Sequence, residues 1–209
     1  MTKAEHIDFI RNSLRSIDKT GKFLRPQVGA AINNAVNTVF WEMYDQSPKV
    51  MWKSMERYTT SMTLAPTTAL GSARYTATLI VDVVDLPRKA GGILEIDTIT
   101  GLGGIDTTTT TYVPVSTMEG EQFYGSEASL PDNIIGFSFS GARQIEFWNM
   151  DAATAALGVN ARVIQQFKSY NSTDNVVLPF GQDERIMELV RQYLGVIPPK
   201  DLINNNSDG

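Results

Sequence analysis

The sequence predicts an α+β protein: two or three helices first, then an antiparallel β domain, then one closing helix. Three observations carry this. Apolar residues recur at helical spacing through the first 58 residues. From Thr59 onward Thr, Val, Ile and Gly take over in alternating runs, which is strand composition. The stretch NVVLPFGQDERIMELVRQYLG, residues 175–195, then returns to an amphipathic helix. Separated runs of helices and strands belong to α+β folds rather than to alternating α/β ones. The expected organisation is a helical region over 1–58, a β-rich domain over 59–196 closed by the last helix, and a polar tail over 197–209.

Thr2 stands where it can cap a first helix whose apolar face is Ile7, Ile10, Leu14 and Ile17, with Gly21 as its stop. Pro26 opens a second helix in its first turn. Val28, Ala31, Ile32, Ala35 and Val39 line one face of that helix, and Phe40, Trp41, Met43 and Tyr44 thicken its far end. Gly29, Ala30 and Ala31 are small enough for another helix to approach closely. A shorter third helix is expected after Ser47, with Pro48 in its first turn and Met51, Trp52 and Met55 along it.

Residues 73–87, ARYTATLIVDVVDLP, read as one or two strands ended by Pro87. GGILEIDTITG, residues 91–101, alternates Ile93, Glu95, Asp97 and Ile99 on one side with Leu94, Ile96 and Thr98 on the other. Residues 105–117 are Thr-rich and β-prone, and residues 119–133 read as an exposed connection. IIGFSFSGARQIEFW, residues 134–148, forms two alternating runs around Ser140, Gly141 and Ala142, a hairpin pattern. Residues 161–172 supply a further strand. Asp183 is expected to cap the last helix, with Ile186, Leu189, Val190, Tyr193 and Leu194 as its stripe and Gly195 as its left-handed end. Leu202 and Ile203 are the apolar anchors of the tail.

The chain has 209 residues, 42% hydrophobic and 20% charged, with a net charge of −5. That is a folded composition, large enough for one core with a helical annex. Without a basic excess the chain is poorly suited to grip a phosphate backbone. An acidic surface instead suits a passage that DNA traverses without sticking. Cysteine is absent, which removes disulfides, thiol nucleophiles and thiolate metal sites together. The charged, amphipathic N-terminus is not expected to be a signal peptide, and no apolar run approaches a membrane span.

Catalytic patterns are scarce. His6 is the single histidine, expected to be solvated or part of a cap, and no second His or Cys can join it around a metal. Asp82 with Asp85, and Glu95 with Asp97, leave a carboxylate-only Mg²⁺ or Ca²⁺ site open. The ordinary reading of Glu95 and Asp97 is a strand face turned to water or to a neighbouring subunit. GLGGIDT, residues 101–107, lacks the Lys-Ser/Thr ending of a phosphate loop, and GFSFSG, residues 136–141, lacks nucleophile-elbow spacing. No catalytic, cofactor or metal residue is assigned.

Two stretches suggest contact surfaces instead. The aromatic and methionine cluster of Phe40, Trp41, Met43, Tyr44, Met51, Trp52 and Met55 is either core or a subunit interface, with Phe40, Trp41, Tyr44, Met51 and Trp52 as its candidate contact residues. Thr107, Thr108, Thr109 and Thr110 belong to a Thr-rich segment that reads as an arm reaching a neighbour, where an extended chain can add a strand to a sheet edge. Leu202 and Ile203 complete the candidate interface residues.

Three longer stretches carry a resemblance: HIDFIRNSLRSIDKTGKFLRPQVGAAINNAVNTVFWEMYD, YTATLIVDVVDLPRKAGGILEIDTI, and ARVIQQFKSYNSTDNVVLPFGQDERIMELVRQYLG. In order and character this chain resembles the head-to-tail connector, adaptor or neck-ring proteins of tailed bacteriophages, short-tailed ones in particular. Neck proteins of crAss-like phages of gut Bacteroidetes are nearest in character. The resemblance implies a virion structural protein without enzymatic activity, made in the host cytoplasm and placed in the neck. It implies a closed homo-oligomeric ring, with twelve the implied count. The ring would contact the portal protein and other neck or tail proteins. Genomic DNA would pass transiently without sequence-specific binding, and neither a membrane nor a cofactor is involved. The alternatives are another virion role (tail tube, head completion or fibre attachment), a metal-dependent hydrolase, and a module binding a ligand in a tryptophan-lined apolar pocket.

Overall fold

A computed structural model of the chain describes residues 1–15, 23–46, 55–71, 73–86, 91–98, 110–116, 118–120, 134–141 and 143–196. It is an α+β fold: N-terminal helices, a β-rich region and a C-terminal helix. The chain divides into two compact units, one of Met1–Phe40 with Tyr170–Gly209, the other of Trp41–Ser169. The closing helix groups with the N-terminal helices, not with the strands that precede it.

The first unit holds α1 (Lys3–Arg15), most of α2 (Arg25–Gln46) and the closing helix, here α4 (Asp183–Tyr193). Thr2 caps α1 as expected. Its Oγ accepts from the Glu5 N–H, and the Glu5 carboxylate accepts from the Thr2 N–H at 2.7 Å. This reciprocal pair satisfies two donors that a helix start otherwise leaves open. α2 has only the return half of such a pair: the Gln27 side-chain oxygen accepts from the Leu24 N–H. Ile10 and Leu14 of α1 are buried, as are Val28, Ala31, Ile32, Ala35 and Val39 of α2. Gly29 lies under Ile7, so the small-residue stretch does admit another helix, and that helix is α1. An ion pair between Arg25 and Asp8 and a bond from Arg11 Nε to the Phe23 carbonyl fix the two helices together.

The unit is closed by the segment leading into α4. Thr2 bridges to Asn175, Lys3 N–H donates to the Asp174 carbonyl, and Val176 N–H donates to the Met1 carbonyl. α4 buries Ile186, Leu189 and Val190. Asp183 is its first residue rather than its cap. The cap position is Gln182, which makes no side-chain cap bond, so Asp183 and Glu184 act through their charge near the helix N-terminus. Gly195 ends the helix at φ +68, as expected. Gly195 N–H bonds to the Gln192 carbonyl and Val196 N–H to the Arg191 carbonyl, the double closure of a Schellman motif.

The second unit begins in the last turns of α2; among its described residues a 3₁₀ turn at Glu56–Tyr58 and eight strands follow. They are β1 (Thr59–Leu64), β2 (Thr68–Gly71), β3 (Arg74–Thr78), β4 (Ile93–Thr98), β5 (Thr111–Pro114), β6 (Ile134–Gly141), β7 (Gln144–Trp148) and β8 (Val159–Ile164). One sheet has the order β1-β8-β4 and the other β2-β3-β7-β6-β5. Residues of both, including Leu64, Ile93, Phe137, Ile145, Phe147 and Val163, meet in one core. The hairpin expected over 134–148 is β6 with β7.

Three strand expectations change. The run 73–87 is a strand only to Thr78. Beyond it Leu79 N–H donates to the Arg143 carbonyl and Val84 N–H to the Ile164 carbonyl, so the chain passes from one sheet to the other. In β4 the pairing shifts between Ile93 and Glu95. The extra residue of that bulge resets the alternation, so Ile93 and Ile96 are both buried while Glu95 stays exposed. β5 runs parallel to β6, which makes this sheet mixed rather than antiparallel. Residues 115–133 between those strands are enough chain for such a crossover. A short helix, α3 (Ala152–Leu157), answers to no expected element; the Asp151 side chain caps it. Of the expected third helix after Ser47, residues 47–54 lie outside the described residues, as does the tail over 197–209; Met55 is buried and Glu56–Tyr58 form a 3₁₀ turn.

Candidate assembly surfaces

Phe40 and Trp41 are neighbours on α2 with opposite fates. Phe40 is 3% exposed and belongs to the interior, so it is not a contact residue on the surface. Trp41 is 46% exposed, and Tyr44 is half-buried. Thr110 is half-buried ahead of β5. Met51, Trp52, Thr107, Thr108, Thr109, Leu202 and Ile203 lie outside the described residues. Trp148 is buried, stacked under the Arg74 guanidinium 4.0 Å from its ring centre, with its Nε1–H donating to Ser138.

Two of the acidic residues singled out in the sequence, Asp82 and Glu95, have fixed partners. Asp82 accepts from Arg143 Nε at 2.7 Å, faces Lys168 Nζ at 3.2 Å, and receives the Ser169 hydroxyl at 3.4 Å. Its carboxyl is held down to about 2, first by the Arg143 hydrogen bonds, against a partial desolvation, and then by Lys168. Arg143 sits at φ +75, a costly conformation for a residue with a Cβ. The turn is held because its carbonyl bonds Leu79 while its guanidinium bonds Asp82, so one residue clasps both ends of the crossing 79–82. Sequence reasoning missed this cluster, since LIVDVVD reads as strand. Asp85 is exposed, and Glu95 pairs with Arg162 at 3.1 Å. Among the described residues no three His, Cys, Asp or Glu side chains converge on a metal position. His6 is half-buried, and its Nε2–H donates to the Val176 carbonyl at 3.1 Å, tying α1 to the closing segment. GFSFSG forms β6, and GLGGIDT lies outside the described residues up to 107.

What the first unit offers is a groove of about 480 Å³. α2 and the residues before it give Phe23, Gln27, Ala30, Ala31 and Asn34; the end of α4 gives Tyr193 and Leu194. No tryptophan and no charged group lines it, so the expected tryptophan-lined pocket is not this one. The Tyr193 wall is fixed by a 2.9 Å hydrogen bond between its hydroxyl and Thr38. Ala30 and Asn34 are exposed on the groove, and Ala31 is its buried floor.

The second unit offers a sheet edge. Among the described residues β1 and β4 flank the smaller sheet, and β2 and β5 the larger. Edges are normally guarded by charge, proline or a bulge. β5 has Pro114, β2 an irregular register and β4 its acidic residues and bulge. β1, Thr-Thr-Ser-Met-Thr-Leu, has none of the three. Large apolar side chains also stand in the open: Ile80 is 78% exposed and Phe180 81%, with Phe9, Leu24 and Met118 also exposed.

No protein-family model matches this chain, and no curated protein matches it. No helix among the described residues is long and apolar enough to cross a membrane.

Proposed function

We propose that this chain is a structural subunit of a tailed-bacteriophage virion, forming a ring in the neck between portal and tail. The ring conducts DNA and presents docking surfaces to tail proteins. One observation carries the reading: the surface is rich in features that need covering by protein, namely the β1 edge, the α2–α4 groove and open side chains such as Trp41, Ile80 and Phe180. Acidic groups of the β-rich unit are engaged in ion pairs, as with Asp82 and Glu95. The likeness of the three sequence stretches to connector and neck proteins supplies the position in the virion. Repeating a modest contact around a closed ring multiplies its strength, so no single large interface is required.

The test is to purify the chain and measure its mass by light scattering while imaging it in negative stain. Closed rings of one size, twelvefold on this reading, are the expected result. A monomer at the highest soluble concentration, also in the presence of portal protein, overturns the reading.

A further inference from the structure

We propose that the α2–α4 groove is the socket for Phe180 of a second copy of this chain, so that copies join head to tail. This inference rests on the reading of the chain as a self-assembling subunit and names the contact.

Phe180 is a knob with a fixed base. Pro179 is buried beneath it. The Gln182 N–H closes a turn onto the Pro179 carbonyl at 3.2 Å, and Gly181 takes φ +73, the conformation a type II turn requires at that position. The ring is thereby carried outward on a short, stiff turn at 81% exposure. Val177, 62% exposed, adds apolar surface beside it. An aromatic side chain needs an apolar cavity with fixed walls, and the groove has them in Phe23, Ala30, Ala31 and the anchored Tyr193.

A chain cannot fill its own groove this way. Phe180 precedes the first residue of α4, whereas Tyr193 and Leu194 close its far end. The eleven-residue helix is about 16 Å long, so knob and socket stand at opposite ends of one rigid element. Charge favours the same pairing. The knob is flanked by exposed Asp183 and Glu184 at the start of α4. The Phe23 end of the socket carries Arg11, whose Nε donates to the Phe23 carbonyl, and Arg25, two cations that share the single carboxylate Asp8. An acidic knob thus meets a basic socket. Two different patches on one chain make a heterologous contact, the kind that closes into rings.

The absence of cysteine in the chain makes the test clean. One variant carries Val177→Cys beside the knob, and a second carries Asn34→Cys on the socket rim. Mixed in equal amounts with a short bis-maleimide, they should give mainly the 177–34 linked pair. Like-with-like links equal to or exceeding it overturn the proposal. In a second arm Phe180→Ala and Ala30→Trp should each weaken self-association by about ten- to a hundredfold. A mixture of the two should recover pairing, because each keeps one intact half; circular dichroism confirms that both are folded. Wild type assembling with both variants assembling equally well overturns the contact and leaves the ring reading standing. A monomeric wild type that still gives the 177–34 link supports the contact and overturns the ring. A monomeric wild type without the link overturns both.

Discussion

Gly120 has no side chain because the Trp148 ring occupies the place where one would start. A Cβ there would lie 2.4 Å from Trp148 Cε2. The indole has no freedom to yield, being 1% exposed, bonded to Ser138 and stacked under Arg74. Gly120→Ala should therefore lower stability by about 1–3 kcal/mol, measured by urea unfolding. Gly29 is the opposite case. Its added methyl would touch Ile7 Cδ1 at 3.4 Å, ordinary contact, in the second turn of α2. Gly29→Ala should stabilise by about 0.5–1 kcal/mol through helix propensity. Asp82 gives a pH-dependent prediction. Its folded pKa is lowered from 3.8 to about 2, so its contribution is fully present above about 3.8 and is lost as pH falls towards 2. Asp82→Asn should cost about 1–2 kcal/mol at pH 7, a value reduced because Arg143 and Lys168 are half-exposed. Urea unfolding of both proteins at pH 7 and pH 3 should show the gap between them narrowing at the lower pH. A gap of the same size at both would mean that the charge of Asp82 contributes nothing.

At the scale of elements, what the sequence discloses is local. Thr2, the α2 face and Gly195 could be read directly, because caps, periodicity and a left-handed end depend on residues within one turn. The left-handed end is testable. A Cβ on Gly195 meets nothing within 4 Å, so Gly195→Ala acts through backbone strain alone and should cost about 1–2 kcal/mol in thermal unfolding. Amide exchange should quicken at Val196, whose N–H closes the motif. What the sequence conceals is decided at a distance. The β-branched run after Thr78 has strand composition, yet the Arg143 carbonyl and Asp82 cluster turn it into a crossing. The alternation of β4 is interrupted by a bulge visible only against β8. The candidate surface divides in the same way. Phe40 and Trp41 look alike as an aromatic pair, and only the packing of α2 sends one inward and leaves the other out. The groove joins residues 23–34 to 193–194, a proximity without any short-range signal. The Pro-Phe-Gly turn that lifts Phe180 was not singled out in the sequence, and the segment leading to it is set by the ties that hold residues 170–176 to the start of α1.

For the whole molecule, charge and assembly make separate claims. A net charge of −5 should leave double-stranded DNA unretained at physiological salt in a gel-shift titration; micromolar binding there would contradict the non-sticking conduit. Head-to-tail assembly makes the sharper claim, because its response to a defective subunit differs from that of any symmetric pairing. A Phe180→Ala chain keeps its socket and loses its knob, so it can receive a neighbour without passing the contact on. In a two-fold pairing such a chain would damage only its own dimer, and the loss would track its share of the mixture. In a closed ring every member is needed for closure. With a tenth of the subunits replaced, only about three in ten twelve-membered rings would contain no defect. Assembling wild type with a rising fraction of Phe180→Ala and counting closed particles by mass photometry should give a loss much steeper than linear. A linear loss would show that copies meet through like surfaces, and the knob and its socket would then have no part in closing the ring.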